Sequence, residues 1–556
     1  MSIFRTRQAP SPTGYLHLGT ARQMLFTKLF AACNEGTWFL RIEDTDRSRL
    51  QPESVKNLLQ AINGLGLTPD EGVTLEKTET YNDFYDIYQR GEYGPYIQSE
   101  RLEYYHEAAQ KLLDKKKAYW SYLTPEEKQE LQNFKKITKA PLNYLQANQE
   151  KYPDKDLYAS VKEVLAGPDA PALLFAVQRE ETISCYDELL GKSEFNLALE
   201  EDFVILKSDG FPTYHLAFAV DDHLMQTSLV IRAQEWFPSF PKHVTIFQEL
   251  WGQEALPKFI HLPVILGQTG NKKMSKRDGN VNMSDYLDQG YLGVALVNYL
   301  CFLGWNPGTE RERYLSDEEI NSLSSRMWVP TLIANVKPEF TLQTISTSSA
   351  RYNLDKLQWF NREYLKAQEA GTFYRTVKEY LSYLEGTGKE DSQDETKTTL
   401  SQIQTRIGSL EALDPDLVKL AFKLDQNRIT TLSEIGSESK CILNWKVPGE
   451  EIKWRKITLE ESRQNLREVG EFIQTVWSDV TLPANTEPLS YITEAAAVWE
   501  KTIKDWLQAE KRDTGSYLWP LRVALSGETR SPSPFEILSI LSLEEIERRI
   551  SASLNK

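Results

Sequence analysis

Apolar residues follow two different spacings in the first part of the chain. A short run at Arg5–Ala9 stops at Pro10, which predicts a strand, because proline lacks the N–H that a strand interior uses. From Leu18 onward, apolar positions recur every three or four residues, as in a helix. A second apolar run, Trp38–Ile42, and a second helical pattern from Pro52 follow. This alternation predicts an α/β fold with a doubly wound parallel sheet.

The alternation is interrupted between residues 118 and 185, where polar and charged segments are punctuated by prolines. This change in composition predicts a domain inserted between two halves of the α/β fold. Beyond it, three apolar runs predict further strands, and these are Phe203–Leu206, Leu229–Ile231 and Pro263–Leu266.

Helical spacing dominates after about residue 285. Leu292–Leu303 predicts a strongly apolar helix, and amphipathic patterns continue from about residue 355 to the end. Thr387–Thr399 is rich in polar residues and glycine, which predicts a solvated loop. The second half of the chain is therefore expected to be all-α.

The composition and charge of the chain restrict the class of protein to which it can belong. The 556 residues are 40% hydrophobic and 26% charged, which is ordinary for a multidomain globular enzyme. No apolar run is long enough for a membrane span, and the N-terminus has no signal core, so we expect a cytoplasmic protein without a membrane partner. The net charge of −16 argues against nonspecific coating of DNA, but it leaves a local basic surface possible.

The four cysteines, Cys33, Cys185, Cys301 and Cys441, are scattered and form no CxxC pair. This spacing predicts free thiols rather than a disulfide framework or a zinc ribbon.

The first candidate for chemistry follows the first predicted strand. Gly14 and Gly19 allow a backbone to approach a ligand closely, and His17 can donate a hydrogen bond to a phosphate oxygen. The helix that begins near Leu18 offers free N–H groups and a positive dipole end. A proline- and glycine-rich turn with an incidental histidine is the alternative. The chain has no Walker loop, so its phosphate site is built differently from that of P-loop enzymes.

The second candidate is the cationic segment Lys272–Arg277, which has a glycine on either side. Such a loop can close over a triphosphate and offset the charge that develops on a leaving pyrophosphate. Alone, the segment would more simply be a solvated basic turn. Its pairing with the first motif favours the catalytic interpretation.

With these two motifs, the chain resembles the bacterial-type glutamyl-tRNA synthetases, which are class I aminoacyl-tRNA synthetases, over nearly its whole length. His17–Thr20 is similar to the "HIGH" element and Lys273–Arg277 to the "KMSKS" element. Further matching segments are Arg41–Asp46, Gln98–Arg101, Lys207–His215, Val220–His223, Ile231–Trp236, Leu521–Gly527 and Ser533–Leu538.

The resemblance implies which residues bind the amino acid. Glutamate carries two carboxylates and one ammonium, and two arginines with one carboxylate are the matching set. The arginines would be Arg7 and Arg232, and Glu43 would hold the ammonium. The resemblance also implies roles for Ala9, Ser11 and Tyr214. For each residue alone, a structural ion pair or core hydrogen bond is the alternative.

For ATP, with Mg²⁺ as its partner, the resemblance implies a second set of residues. His17, Lys273 and Lys276 are the candidate catalytic residues. The full set expected to bind ATP is His17, Gly19, Glu235, Leu266, Lys273, Ser275, Lys276 and Arg277. No covalent nucleophile is needed. The implied reaction forms glutamyl-adenylate and then transfers glutamate to the 3′-terminal ribose of tRNA(Glu), and in relatives activation requires bound tRNA.

The resemblance also gives names to the segments and implies a monomer. Residues 1–117 and 186–265 would form a Rossmann-like catalytic domain, and 118–185 an inserted domain that binds the acceptor end. Residues 266–360 would contact the tRNA stem, and 361–556 would bind the anticodon. Arg406 falls where some relatives read the last anticodon base, although a surface helix arginine is an equal alternative.

Two departures from the family pattern bear on the site. Many relatives begin a zinc site with CxC in the inserted domain, whereas this chain has Tyr119–Leu123 there, without cysteine. We therefore predict no structural zinc and no protein metal site. Phe218 stands where some relatives have a polar residue of the pocket.

Three other functions are alternatives. Glutaminyl-tRNA synthetases typically have PEPNG before the histidine and β-barrels for the anticodon, whereas this chain has PSPTG and a helical C-terminal half. The sequence leaves open the alternative that the enzyme also charges tRNA(Gln). A paralogue that binds or modifies RNA without charging it should have lost His17, Lys276 or the pocket arginines, and none is lost.

Overall fold

The computed structural model describes residues 3–12, 14–46, 54–77, 85–138, 142–270, 272–274, 282–387, 395–410, 413–483 and 488–556. Internal contacts divide the chain into two compact units. The first unit comprises residues 1–284, 297–314 and 329–353, and the second comprises 285–296, 315–328 and 354–556.

Eleven strands are assigned in the described residues, and all of them belong to the first unit. They are β1 (Arg5–Gln8), β2 (Thr37–Leu40), β3 (Glu71–Lys77), β4 (Tyr85–Arg90), β5 (Ala118–Ser121), β6 (Ala172–Phe175), β7 (Thr182–Asp187), β8 (Gly191–Asn196), β9 (Phe203–Leu206), β10 (Leu229–Ala233) and β11 (Lys258–Leu262).

The helices of both units, numbered in chain order, are α1 (Leu18–Cys33), α2 (Ser54–Gly64), α3 (Leu102–Asp114), α4 (Pro125–Thr138), α5 (Tyr144–Lys151), α6 (Val161–Leu165), α7 (Tyr214–Leu224), α8 (Phe240–Trp251), α9 (Met283–Asp288), α10 (Gly293–Cys301), α11 (Asp317–Ser322), α12 (Ser325–Val336), α13 (Leu354–Lys366), α14 (Ala370–Thr387), α15 (Glu395–Ile407), α16 (Pro415–Gln426), α17 (Lys440–Leu443), α18 (Leu459–Val476), α19 (Pro488–Ala509), α20 (Thr514–Ser526), α21 (Pro534–Leu538) and α22 (Leu543–Leu554).

The main sheet has six strands in the order β11-β10-β1-β2-β3-β4. The first five are parallel, and β4 pairs antiparallel with β3 at the edge. From β1 the chain proceeds to β2 on one side, and it later returns to β10 on the other. This reversal of strand order makes the carboxyl ends of β1 and β10 the point where ligands bind in open α/β sheets. The predicted α/β class and the all-α second half are confirmed.

Two predicted strands differ in detail. Phe203–Leu206 is indeed a strand, but β9 pairs antiparallel with β6 in a three-stranded sheet outside the parallel sheet. A run of four apolar residues suits either environment, so periodicity alone could not assign its sheet. The last strand of the main sheet is Lys258–Leu262 and not Pro263–Leu266. The sequence signal was weak there because Lys258 and His261 interrupt the apolar run.

A hydrophobic core of the first unit links the three-stranded sheet to the helices around the site. Trp120, Phe175 and Leu206 from β5, β6 and β9 join this core together with Phe218 of α7 and Phe247 of α8. The packing therefore fixes α7 and α8 against the sheet, and these two helices supply side chains to the site.

The second unit is helical throughout its described residues, with no strand assigned there. Its amphipathic helices place apolar positions inward, as in α18, where Leu466, Val469 and Ile473 are buried. The predicted loop Thr387–Thr399 is partly wrong, because α15 begins at Glu395. Residues 388–394 lie outside the described residues.

Candidate active site

A cavity of about 780 Å³ lies at the N-terminus of α1. His17 occupies the N-cap of this helix, and no side-chain cap hydrogen bond covers the first turn. Residues from two parts of the first unit line the cavity. They include Pro10, Ser11, Gly14, His17, Gly19, Ala233, Glu235, Ile265, Lys273, Met274 and Asn282. Unsatisfied N–H groups at a helix N-terminus are suited to an anionic ligand such as phosphate.

Lys273 is held at the edge of this cavity by a short antiparallel bridge to Leu266. The Met274 amide donates to the Ile265 carbonyl at 2.9 Å, and the Gly267 amide donates to the Lys272 carbonyl at 3.0 Å. The Lys273 ammonium donates to both carboxylate oxygens of Glu235, at 2.6 and 2.7 Å. Both side chains of this pair are at least half exposed, so solvent screens the pair and either partner can turn to a ligand.

The cationic segment continues from Lys273 into residues 275–281, which include Ser275, Lys276 and Arg277 and lie outside the described residues. The flanking residues Met274 and Asn282 both line the cavity. On the far side, Asn282 bridges to His17, and the Met283 amide donates to the Leu16 carbonyl at 2.8 Å.

A second, deeper group of charges lies beside the cavity, around a buried pair of aspartates at the end of α7. Arg7 from β1 donates to both carboxylate oxygens of Asp222 through Nε and Nη2, at 3.0–3.2 Å. Arg41 donates to the same carboxylate at 2.7 Å and to Glu43 at 3.2 Å. The neighbouring Asp221 accepts from Arg101 at 2.7 Å.

The carboxylates of Asp222 and Glu43 differ in how their surroundings shift their pKa values. Burial alone would raise the pKa of Asp222, but Arg7 and Arg41 outweigh it and the pKa of Asp222 is lowered. Burial raises the pKa of Glu43 despite Arg41 and Arg7 nearby. Asp222 therefore serves as the internal counter-ion, while Glu43 is a carboxylate that gains from an added cation.

Arg232 from β10 has a different environment, made of histidines instead of carboxylates. Its Nε donates to His261 Nε2 at 2.8 Å, and its Nη1 lies 2.7 Å from His243 Nδ1. Tyr214 interacts with the same guanidinium, yet Nη2 makes no regular hydrogen bond among the described residues. Arg232 therefore keeps a hydrogen-bond donor, Nη2, available in a buried position, where a donor without an acceptor costs free energy.

Aromatic rings fill the space between the two arginines. The Phe218 ring centroid lies 5.3 Å from the guanidinium carbon of Arg7 and 5.3 Å from that of Arg232. Tyr214 packs against Phe218 and against Trp236, with ring centroids 5.7 and 4.4 Å apart. Phe218 therefore contributes a buried apolar surface where some relatives were expected to have a polar residue.

Histidines around Arg232 predict a specific acid sensitivity. Burial lowers the pKa of His261 and lowers that of His243 well below its usual range. A histidine whose folded pKa is lowered stabilises the fold above the unfolded pKa of about 6.5, and this stability is lost as the pH falls below it. We expect His243 alone to lower the free energy of unfolding by about 1.3 kcal/mol between about pH 7.5 and 5.5, because it stays neutral in the fold over this range.

Chemical denaturation of the chain at the two pH values measures this drop. In the variant His243→Asn, the drop in the free energy of unfolding between the two pH values should be smaller by about 1 kcal/mol, because asparagine does not titrate. An unchanged pH dependence in that variant would show that His243 does not stay neutral in the folded protein.

Arg406, the candidate anticodon residue, lies in the last turn of α15 in the second unit. It lines a depression of about 400 Å³ with Ser401, Gln402 and Thr405. Its Nη2 donates to the Ser433 carbonyl at 2.6 Å and its Nε to the Gln402 carbonyl at 3.2 Å. The side chain is thus half-buried and fixed, and its role stays a prediction.

Most predicted residues of the first unit fall into two adjoining groups. The cavity group holds Ser11, His17, Gly19, Glu235 and Lys273, while Leu266 pairs with Lys273 and Ala9 directly follows β1. The deeper group holds Arg7, Glu43, Tyr214 and Arg232. Sequence reasoning assigned no role to Asp221, Asp222, His243 or His261, although the motif Val220–His223 was a usable signal for the two aspartates.

Comparison with known proteins identifies the class to which this arrangement belongs. A family model described as "tRNA synthetases class I (E and Q), catalytic domain" matches residues 3–338. A second model, described as "Anticodon binding domain", matches residues 372–554.

Individual relatives narrow the class. The chain is 33% identical to the glutamate–tRNA ligase of Alkaliphilus metalliredigens, over 99% of this chain and 98% of the relative. It is 32% identical to that of Carboxydothermus hydrogenoformans, over 100% of both chains. A crystal structure of a glutamate tRNA ligase from Elizabethkingia meningosepticum, in complex with its amino acid, matches with a TM-score of 0.73 and 26% identity over 100% of both chains. The chain therefore belongs to the glutamate–tRNA ligase family of class I tRNA synthetases.

Two further structural findings concern the helices and the cysteines. None of the helices in the described ranges combines the length and apolar character that crossing a bilayer requires. All four cysteines are free thiols, as their spacing predicted.

Proposed function

We propose that this chain is a glutamate–tRNA ligase that activates L-glutamate with ATP and transfers it to the 3′-terminal ribose of tRNA(Glu). The observation that carries the proposal is the charge pattern beside the cavity. Two arginines, Arg7 and Arg232, and one carboxylate, Glu43, adjoin a space at the N-terminus of α1. Glutamate has the complementary set of two carboxylates and one ammonium, and the helix N-terminus suits phosphate.

For the amino acid, we propose that Arg232 and Arg7 bind carboxylate and that Glu43 binds the ammonium. A cation placed at Glu43 would offset the burial that raises the pKa of this side chain. Tyr214, Ser11 and the Ala9 backbone would complete the pocket. The pocket thus fixes the substrate at both charged ends, which leaves little freedom for a misaligned attack.

For ATP, His17 and Gly19 would contact the phosphates at the first turn of α1, with Glu235 and Leu266 alongside. A carboxylate oxygen of glutamate attacks the α-phosphorus, and the bond to pyrophosphate breaks. Lys273 and Lys276, with Ser275 and Arg277, would offset the charge that develops on the leaving group. The ribose hydroxyl of tRNA then attacks the acyl carbon, and AMP leaves.

Mg²⁺ would enter as the ATP complex. Within the described ranges, no group of three or more histidine, cysteine, aspartate or glutamate side chains is placed to bind a metal ion. We propose that substrate phosphates and water would hold the cation, with Glu235 as the neighbouring carboxylate, because Mg²⁺ commonly takes only one or two protein ligands. The bound Mg²⁺ would neutralise part of the negative charge on the ATP phosphates.

For the tRNA, we propose that residues 118–185 bind the acceptor end, 266–360 contact the stem, and 361–556 bind the anticodon, with 1–117 and 186–265 as the catalytic domain. The anticodon-domain match over 372–554 supports the last of these. Arg406 would contact the last anticodon base. A cytoplasmic monomer stays a prediction.

Aminoacylation of purified tRNA(Glu) and tRNA(Gln) with labelled glutamate tests the function. We expect tRNA(Glu) to be charged, and charging of tRNA(Gln) at a comparable rate would identify a non-discriminating enzyme. The relatives described above carry glutamate in their names, and none supports a glutaminyl enzyme. Failure to charge either tRNA would overturn the proposal.

Absence of structural zinc is a separate prediction. The segment Tyr119–Leu123 contains no cysteine. The Tyr119 hydroxyl instead donates a hydrogen bond to Asp202 at 2.8 Å. Metal analysis of the pure chain should find well under one zinc per molecule, and prolonged chelation should leave the melting temperature unchanged. Stoichiometric zinc would contradict the prediction.

A further inference from the structure

Arg232 differs from the other arginines of the site in what neutralises its charge. Arg7 donates to both carboxylate oxygens of Asp222, and Arg41 contacts both Asp222 and Glu43. Arg232 forms no ion pair with any carboxylate of the described residues, and its two bonded nitrogens contact His261 and His243.

The hydrogen-bond pattern fixes both histidines as neutral acceptors towards Arg232. A guanidinium only donates, so His261 Nε2 and His243 Nδ1 must be unprotonated. The proton of His261 then resides on Nδ1, which donates to Asp187 at 2.7 Å. The proton of His243 resides on Nε2 and points to His215 Nδ1 at 3.0 Å. Nε and Nη1 of Arg232 thus bond to neutral groups, and the negative charge of Asp222 acts on the guanidinium without a hydrogen bond to it.

Three aromatic rings complete this uncharged surrounding. The guanidinium carbon of Arg232 lies 5.3, 5.4 and 5.8 Å from the ring centroids of Phe218, Phe259 and Phe240. Ring faces attract a cation through their quadrupole, but they carry no net charge. Together with His243 and His261, these rings form what we term the neutral cradle of Arg232.

We propose that His243 and His261 are positioning residues that fix Arg232 without a carboxylate bonded directly to it, so that the pocket prefers a substrate carboxylate to the corresponding amide. This inference rests on the proposed function, in which Arg232 binds a glutamate carboxylate. An aspartate in place of His243 would supply an internal counter-ion, and a substrate carboxylate would then have to compete with it. The unbonded Nη2 of Arg232 is the donor left over for the substrate.

The matched variants His243→Asp and His243→Asn test the inference in the full-length enzyme. Asparagine and aspartate have the same size, and each can place an oxygen close to the position of the histidine Nδ1, but only aspartate adds a charge. The measurement is kcat/KM for glutamate and for glutamine in tRNA(Glu) aminoacylation, with KM for ATP as the internal control. Arg232→Gln is measured alongside.

We expect His243→Asp to lower kcat/KM for glutamate at least about tenfold, since hydrogen bonds to charged partners are worth more than neutral ones. The preference for glutamate over glutamine should shrink by a similar factor. His243→Asn should stay within about threefold of the parent, because the neutral acceptor is retained. KM for ATP should be unchanged in both.

Equal behaviour of the two variants would overturn the inference, as would a loss in His243→Asp that leaves the glutamate-to-glutamine ratio unchanged. If Arg232→Gln keeps the parent's kcat/KM for glutamate, the proposed pocket fails instead, and the inference with it. Where His243→Asp does not fold, His243→Leu provides the second test. It removes the acceptor, so KM for glutamate should rise about tenfold with KM for ATP unchanged, and an unchanged KM for glutamate refutes the inference.

Discussion

Exchanging Asp222 for asparagine is expected to lower the free energy of unfolding by about 3–5 kcal/mol. Asp222 is buried, and its carboxylate is shared by Arg7 and Arg41, whose side chains are also buried. Asparagine keeps the shape but removes the carboxylate to which both guanidinium groups donate. Arg41 would keep Glu43 and Asp221, but Arg7 would lose its carboxylate partner among the described residues, and a buried cation left in this way costs far more than a lost surface ion pair.

The measurement is chemical denaturation of the full chain at neutral pH, followed by a signal of the first unit. The matched control is Glu194→Gln in the same unit, which also turns a carboxylate into an amide. Glu194 pairs with Lys192 at 2.9 Å, but both side chains are about 60% exposed, so solvent screens the pair and the control should lose little stability. An Asp222→Asn variant as stable as this control would refute the charge assignment.

Arg232→Gln is expected to reduce kcat/KM for glutamate by a factor of about one hundred or more. In the proposed pocket, the substitution would remove a charge-assisted contact to a substrate carboxylate in a buried position and leave that carboxylate without its partner. The main effect should be on KM for glutamate, while KM for ATP should stay near the parent value because the cavity proposed to bind ATP is lined by other residues.

The companion variant Arg232→Lys separates charge from geometry. Lysine keeps the charge but lacks the planar fork, so its activity should fall between the parent and Arg232→Gln. Loss of kcat alone, with both KM values unchanged, would contradict a role for Arg232 in binding glutamate.

Local spacing was sufficient to predict the elements that carry the site. Arg7 was correctly expected on a strand and His17 before a helix, because proline and glycine positions mark those boundaries directly. The strand β11 was misplaced, since its buried His261 and its Lys258 look polar in the sequence. His261 is buried with Asp187 of the β7–β8 hairpin as its hydrogen-bond partner. The local sequence around His261 does not show that such a distant partner exists.

The candidate site was predictable for the residues that sit in motifs and not for those that support them. Arg232 was named from its motif, but its two histidine partners come from α8 and β11. Asp222 was within a matched motif, yet its role depends on Arg7, which is 215 residues away in the chain. Such long-range ion pairs follow from the strand order β10-β1-β2, and the order is not encoded in any local spacing.

Formation of AMP by the purified chain tests the central claim most directly. Reactions contain ATP and Mg²⁺, with glutamate and tRNA(Glu) added singly or together. The account predicts AMP only when both glutamate and tRNA are present, with glutamate recovered on the tRNA in matching amount. Brisk pyrophosphate exchange with glutamate alone would remove the proposed requirement for tRNA. No AMP with glutamate and tRNA together, or equal AMP when glutamine replaces glutamate, would contradict the account.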